Sequence, residues 1–334
     1  MNHSTTVLPY SDNELAGLEK GQQAKPLAIS FRLLLALYAV IPIAALVILI
    51  DTFFLHSHLK SSLPKSPYDW WIISAIFNYP HIFASQFSLL DREYIPTYRR
   101  LLLAIPLVVL LGLLLALSGK PIGFLIFELL TIYHVIMQQI GINRMMMRKA
   151  DNSFNLWKWL FLAAFALAYA GLVMKADFIF FVVTVGPLLI PTTYLAYKII
   201  KNSQPGIGRH YLCANQTMLL SVAACFSVGY PVFSVLIPRA VHDLSAFVFY
   251  IDHDTNRNRV ETKNGLYRIF SILPISAGIL CPLLAVNINL LLQTFTRLLA
   301  NPFFYIPITM IHYHTERVIW RGQNIHRKSL AFRP

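Results

Sequence analysis

Residues 101–118 read LLLAIPLVVLLGLLLALS and contain no charged side chain. Because a helix rises about 1.5 Å per residue, about 20 apolar residues cross a hydrocarbon core about 30 Å thick. Similar apolar blocks recur along the chain. The sequence is 56% hydrophobic and 13% charged, whereas a soluble domain carries about 25% charged residues. The sequence therefore predicts an all-α fold, a polytopic transmembrane helical bundle.

The apolar blocks between polar breaks predict about ten transmembrane helices. The spans lie near 31–55, 69–90, 101–118, 122–143, 157–174, 177–197, 212–237, 239–255, 268–292 and 301–320. They form one transmembrane domain, 31–320, between a polar cytoplasmic tail, 1–30, and a basic cytoplasmic tail, 321–334. One kinked helix over 212–255, without a break at Pro238 and Arg239, would reduce the number to nine.

The basic residues favour ten spans with both termini in the cytoplasm. With the N-terminus inside, 22 of the 28 Lys and Arg residues fall in cytoplasmic segments and six fall outside. This is the asymmetry of the positive-inside rule, and merging two spans would spoil it. The net charge of +13 is then a topology signal. It indicates the lipid bilayer, predicted to be a bacterial inner membrane, and no nucleic acid as the partner.

Four segments place ionisable side chains inside predicted spans, where such groups are costly and usually mark a site. They read FNYPHIFASQFSLLDRE from residue 77, FELLTIYHVIMQQIGINR from 127, RAVHDLSAFVFYIDHD from 239 and MIHYHTERVIW from 310. The candidate metal ligands in them are His81, His134, His242, His253, His312 and His314. The candidate catalytic residues are Glu316 and Gln138.

Helical spacing organises two of these segments. His134 and Gln138 are four residues apart and share a helix face, as do His312 and Glu316. His314 points about 200° away from His312 on the same helix. Each of these two helices is therefore expected to offer one pair of ligands.

His242 and His253 are eleven residues apart, close to three helical turns, so only one of them is expected to join a compact site. By topology the histidine segments approach the cytoplasmic half of the membrane. Imidazole mixed with carboxylate suits a divalent metal. Iron, in mononuclear or dinuclear form, is the expected metal, with zinc or manganese as alternatives. Any one histidine alone would more often have a hydrogen-bonded structural role. The remaining histidines, expected to be solvated in loops or tails, are His3, His56, His58, His210 and His326.

The histidine segments resemble those of integral membrane non-haem iron enzymes, a group that includes desaturases and alkane hydroxylases. The nearest resemblance is to the bacteriorhodopsin-related-protein-like carotene dioxygenases, at Pro80 and His81, with His134, His242 and His253 as later histidines. That family has a glycine beside its proline-histidine pair and a further Asp-His, neither of which follows His81 here. The resemblance covers four short stretches of the chain and implies histidine ligands from several helices, but it fixes neither the substrate nor the metal.

The leading functional hypothesis is a metal-dependent membrane oxidoreductase of oxygenase, hydroxylase or desaturase type. It would act on a hydrophobic or lipid-like substrate and receive electrons from a donor protein. One alternative is a proton- or cation-coupled transporter that uses the same histidines, although no internal repeat is visible. Another is a lipid-modifying transferase with a histidine base, which would need no metal.

Overall fold

The computed structural model describes residues 26–63, 79–89, 94–119, 122–147, 151–258, 301–322 and 324–333. Most of the predicted N-terminal tail, the first half of the span near 69–90 and the whole span near 268–292 lie outside the described residues. The remaining predicted spans overlap described helices, although their boundaries differ, and the fold is all-α as expected.

The helices are numbered here in chain order. Phe31–Phe53 forms α1, which is α-helical except for a 3-10 turn at Leu37–Ala39. The others are α2 His58–Ser62, α3 Tyr79–Ser88, α4 Tyr94–Thr97, α5 Arg99–Leu117, α6 Ile122–Met147, α7 Asn152–Val173, α8 Phe178–Thr184, α9 Gly186–Asn202, α10 Ile207–Ser227, α11 Pro231–Asn258, α12 Pro302–Ile319 and α13 Ile325–Lys328. Two short strands, β1 Ala28–Ser30 and β2 Ala331–Arg333, complete the described structure.

Five of the described helices, α1, α5, α6, α7 and α11, are long and apolar enough to cross a membrane. The pair α8 and α9, bent by 43° at Val185, would be a sixth span if it is taken as one. These helices are consistent with a multi-pass integral membrane protein. Their exposed faces carry large apolar side chains such as Leu103, Leu107 and Ile190, as expected of surfaces in contact with lipid.

The expected break at Pro238 and Arg239 is wrong. Helix α11 runs without interruption through Pro238, and the chain instead turns between α10 and α11. Gly229 adopts a positive φ of 80°, and Pro231 is the first residue of the next helix. Glycine after a helix end and proline at a helix start are the usual residues for such a turn, because glycine tolerates positive φ and proline lacks the N–H that a first turn leaves unbonded. Arg239 is consequently buried within α11.

Helix α11 is central to the candidate site because it packs against α3 and α6, while α12 packs against α3 and α5. The contact between α5 and α12 is close at Gly112. A Cβ at that position would lie 2.7 Å from the Cα of Pro307. Small residues allow membrane helices to approach in this way. The close contact holds α12 against α5, and α12 also packs against α3, which carries His81.

The two ends of the described chain meet at the C-terminal end of α11. Strands β1 and β2 pair in parallel, with Ala28 opposite Ala331 and Ser30 opposite Arg333. The Asn256 side chain donates to the carbonyls of Leu27 and Ser329 and accepts from the N–H of Leu27. One buried amide thus fastens both terminal segments to the helix bundle.

Candidate metal centre

Four histidines on four different helices meet in one buried pocket. They are His81 of α3, His134 of α6, His242 of α11 and His312 of α12. Three of the side chains are at most 1% exposed, and that of His134 is 11% exposed. The ring centres of His81 lie 5.3 Å from His242 and 4.5 Å from His312, and those of His134 lie 4.9 Å and 5.2 Å from the same two rings.

Two carboxylates complete the pocket. The Oε2 atom of Glu316 lies 3.2 Å from Nε2 of His134 and 3.9 Å from Nε2 of His312. The Oδ1 atom of Asp243 lies 3.3 Å from Nδ1 of His81 and 3.9 Å from Nε2 of His242. Both carboxylates are nearly fully buried.

The ring spacing has the size that coordination of a shared ion requires. A metal–nitrogen bond of about 2.0–2.1 Å puts an imidazole centre about 3.2 Å from the ion, so neighbouring ligand rings at about 90–109° lie about 4.5–5.3 Å apart. The ring distances from His134 to His242 and His312, and from His81 to His242, fall in this range. Edge-to-face packing of rings gives similar distances, so the stronger observation is that the ligand atoms of each set lie within 4.8 Å of one another.

A hydrogen bond fixes the proton of His312. The Ser85 hydroxyl donates to the carbonyl of Ile82 at 2.6 Å, so its oxygen accepts from Nδ1 of His312 at 2.9 Å. Nδ1 therefore carries the ring proton, and the lone pair is on Nε2. That nitrogen is buried, has no hydrogen-bond donor among the described residues and faces the Glu316 carboxylate. Two acceptors that face each other in a dry pocket are stabilised by a cation between them.

Glu316 is oriented in the same manner. The hydroxyl of Tyr250 donates to Oε1 at 2.7 Å, which leaves Oε2 directed at the two histidines. A hydrogen-bonded carboxylate and a hydrogen-bonded imidazole are the usual second layer of interactions around a protein-bound metal.

The ionisable groups form two overlapping sets, and within each set the ligand atoms lie within 4.8 Å of one another. One set is His134, His242, His312 and Glu316, and the other is His81, His242 and Asp243. Arg239, one turn before Asp243 on α11, interacts electrostatically with both Asp243 and Glu128. This buried arginine offsets part of the negative charge near the pocket.

Three of the candidate residues lie outside these two sets. Gln138 accepts a hydrogen bond from the Gln139 side chain, which in turn accepts one from the Tyr211 hydroxyl in a network of neutral groups between helices. His314 lies on a different face of α12 from His312, as its spacing predicts. His253 is three turns along α11 from His242 and belongs to a second cluster.

The second cluster lies where the C-terminal segment covers the ends of α4 and α11. The imidazole of His253 bonds to the hydroxyl of Tyr94 at 3.0 Å and to Asp254 at 3.0 Å, and it stacks on the ring of His326 at 4.6 Å. His326 was expected to be solvated; that expectation is wrong, because the side chain is fully buried and bonds to the Tyr98 hydroxyl. Burial raises the pKa of the Tyr98 phenol, so it remains protonated at neutral pH.

Asp243, Ser85 and Tyr250 are functional candidates that were absent from the predicted ligand and catalytic residues. Asp243 directly follows His242, and Ser85 is one turn after His81, so both share a segment with a predicted ligand. Tyr250 has no such signal, because a tyrosine in an apolar run is indistinguishable from packing until the position of Glu316 is known.

Searches against protein-family models, curated proteins and solved structures find no match to this chain.

Proposed function

We propose that the protein is a membrane-embedded, metal-dependent oxidoreductase whose metal is held by His134, His242, His312 and Glu316. The observation that supports this most strongly is the convergence of these side chains, from three helices, with the spacing of ligands on one ion. Nitrogen ligands with one carboxylate suit iron, zinc or manganese.

Iron is the metal proposed for this site. Three imidazoles and a carboxylate leave coordination positions open, and iron bound in this way supplies the chemistry of dioxygen activation. The residues around it would then exclude water, because the ligating side chains other than His134 are at most 3% exposed. Exclusion of water protects an oxidant from side reactions.

The proposed substrate is hydrophobic and enters from the bilayer. His134 is the most exposed of the four pocket histidines, and its ring stacks on Tyr313 of α12 at 4.3 Å. The proposed entry is therefore between α6 and α12. The side chain of Tyr133, next to His134 in α6, is 45% exposed, as a route open to lipid would require.

The proposed membrane and topology follow from the same reasoning as the span assignment. The chain would cross a bacterial inner membrane ten times with both termini in the cytoplasm, which is the arrangement that the basic residues favour. An electron-donor protein would then reach the enzyme from the cytoplasm. Transport of a cation by the same histidines is the competing function, and it would leave oxygen uptake unaffected by substrate.

The test is metal analysis of the purified full-length protein after anaerobic loading with Fe²⁺ in detergent. We expect iron to remain bound after gel filtration of the wild type and to be lost in His312→Ala. His210→Ala is the matched control, because His210 is exposed on α10. Oxygen uptake in the presence of a reductant and a bilayer lipid extract should follow the bound iron.

Two results would contradict this proposal. A wild-type protein that retains no iron, zinc or manganese after loading would remove the metal centre. Iron that is bound but unaffected by His312→Ala would place the metal elsewhere in the chain.

A further inference from the structure

Both ring nitrogens of His242 are buried without a hydrogen-bond partner in the described part of the chain. Neither Nδ1 nor Nε2 has a hydrogen bond to any described residue, although the side chain is 1% exposed. His312, by contrast, bonds through Nδ1 to Ser85, and His81 approaches Asp243 through Nδ1. A neutral imidazole has one N–H and one lone pair, and leaving either unsatisfied in a buried site costs free energy.

A single metal ion would satisfy only one of the two ring nitrogens of His242. An ion held with His134, His312 and Glu316 would use one nitrogen of His242, and the other would remain buried with no partner among the described residues. The two sets of candidate ligands share a single residue, and that residue is His242. The residue whose two nitrogens both need a partner is thus the one that belongs to both sets.

We propose that the pocket holds two metal ions, with His242 bridging them as an imidazolate. Nε2, which lies 3.9 Å from Asp243 Oδ1, binds the ion shared with His81 and Asp243. Nδ1 binds the ion shared with His134, His312 and Glu316. The inference rests on the proposed metal centre and adds a second site to it.

The second set has suitable ligands of its own. His81 Nδ1 and Asp243 Oδ1 are 3.3 Å apart, which is close to the separation of two ligand atoms on one ion with bonds of about 2.0–2.1 Å. The other carboxylate oxygen, Oδ2 of Asp243, is buried and has no hydrogen-bond partner in the described part of the chain. It is therefore available as a further ligand atom.

Charge and protons balance in this arrangement. When the second ion binds, the proton of the His242 ring is released to solvent and the ring becomes an anionic bridge. No electron is transferred. Two bonds of about 2.0–2.1 Å on the two nitrogens of one ring separate the ions by about 6 Å.

The experiment counts metal ions per chain after loading the full-length protein with Zn²⁺ alone and removing excess metal. We expect two ions in the wild type and one in Asp243→Asn, which keeps the shape of the side chain but removes its charge. Asp177→Asn is the matched control and should keep two ions. Asp177 caps α8 by accepting from the N–H of Phe180, a role that asparagine also performs.

His81→Gln is the second variant, used in case Asp243→Asn does not fold, and it should also bind one ion. One ion in the wild type that Asp243→Asn retains would overturn the bridge and leave Asp243 as the residue that orients His81. Two ions in both Asp243→Asn and His81→Gln would overturn it as well. A wild type that binds no ion would instead contradict the metal centre itself, so the two proposals fail in different ways.

Discussion

Ser85→Ala is expected to weaken metal binding although Ser85 is not proposed as a ligand. The Ser85 oxygen accepts the Nδ1 proton of His312 at 2.9 Å and thereby keeps the Nε2 lone pair directed into the pocket. Alanine leaves this N–H buried without an acceptor, at a cost of about 1–3 kcal/mol. It also frees the ring to rotate or to change tautomer.

The expected magnitude follows from similar interactions around other metals. Loss of a group that orients a ligand typically lowers metal affinity about 10–100-fold. This range corresponds to about 1.4–2.7 kcal/mol of binding free energy. It agrees with the cost of the buried N–H, so the two effects predict the same order of weakening.

The assay is competition for Zn²⁺ between the purified protein in detergent and a chromophoric chelator, with Kd as the result. Ser245→Ala is the matched control, because Ser245 is also fully buried and donates to a backbone carbonyl of its own helix at 2.6 Å. An unchanged Kd in Ser85→Ala would refute the role assigned to Ser85. Equal weakening in both variants would attribute the effect to general loosening of the bundle.

Three further results are expected. Gly112→Ala should lower the melting temperature, with a loss of about 1–3 kcal/mol of stability, because the new Cβ would overlap α12. Gly141→Ala is the control and should leave the melting temperature unchanged, because the space around Gly141 is open. Asn256→Leu removes the hydrogen bonds to both terminal segments and should make the C-terminal segment sensitive to limited proteolysis while the membrane-embedded helices stay intact. Tyr250→Phe removes only the hydroxyl that orients Glu316, and should weaken Zn²⁺ binding about 10–100-fold with little change in melting temperature.

The helices were largely predictable because lipid imposes a strong and simple constraint. A segment that crosses the hydrocarbon core must be apolar and must satisfy its backbone internally, so the sequence shows each helix as a block. The exception is informative. Pro238 suggested a break in the helix, but α11 continues through it. The chain turns earlier, at Gly229 and Pro231, which are the residues that usually end one helix and start the next.

The candidate site was predictable only where ligands share a helix. The four-residue spacing of His312 and Glu316 implies the contact that the structure contains. Which helices meet, and at what depth, depends on packing that no local pattern encodes. His253 joined the predicted ligands through its depth in a span, which does not reveal that it lies in another cluster. His326 was predicted to be solvated because its ring contacts, with Tyr94, Tyr98 and His253, come from distant parts of the chain.

The pairing of β1 with β2 has a consequence for the path of the chain. Ala28 and Ala331 are neighbours in the sheet, so α1 begins beside the strand in which the described chain ends. A short linker could therefore join these two strands, which makes the chain suitable for circular permutation.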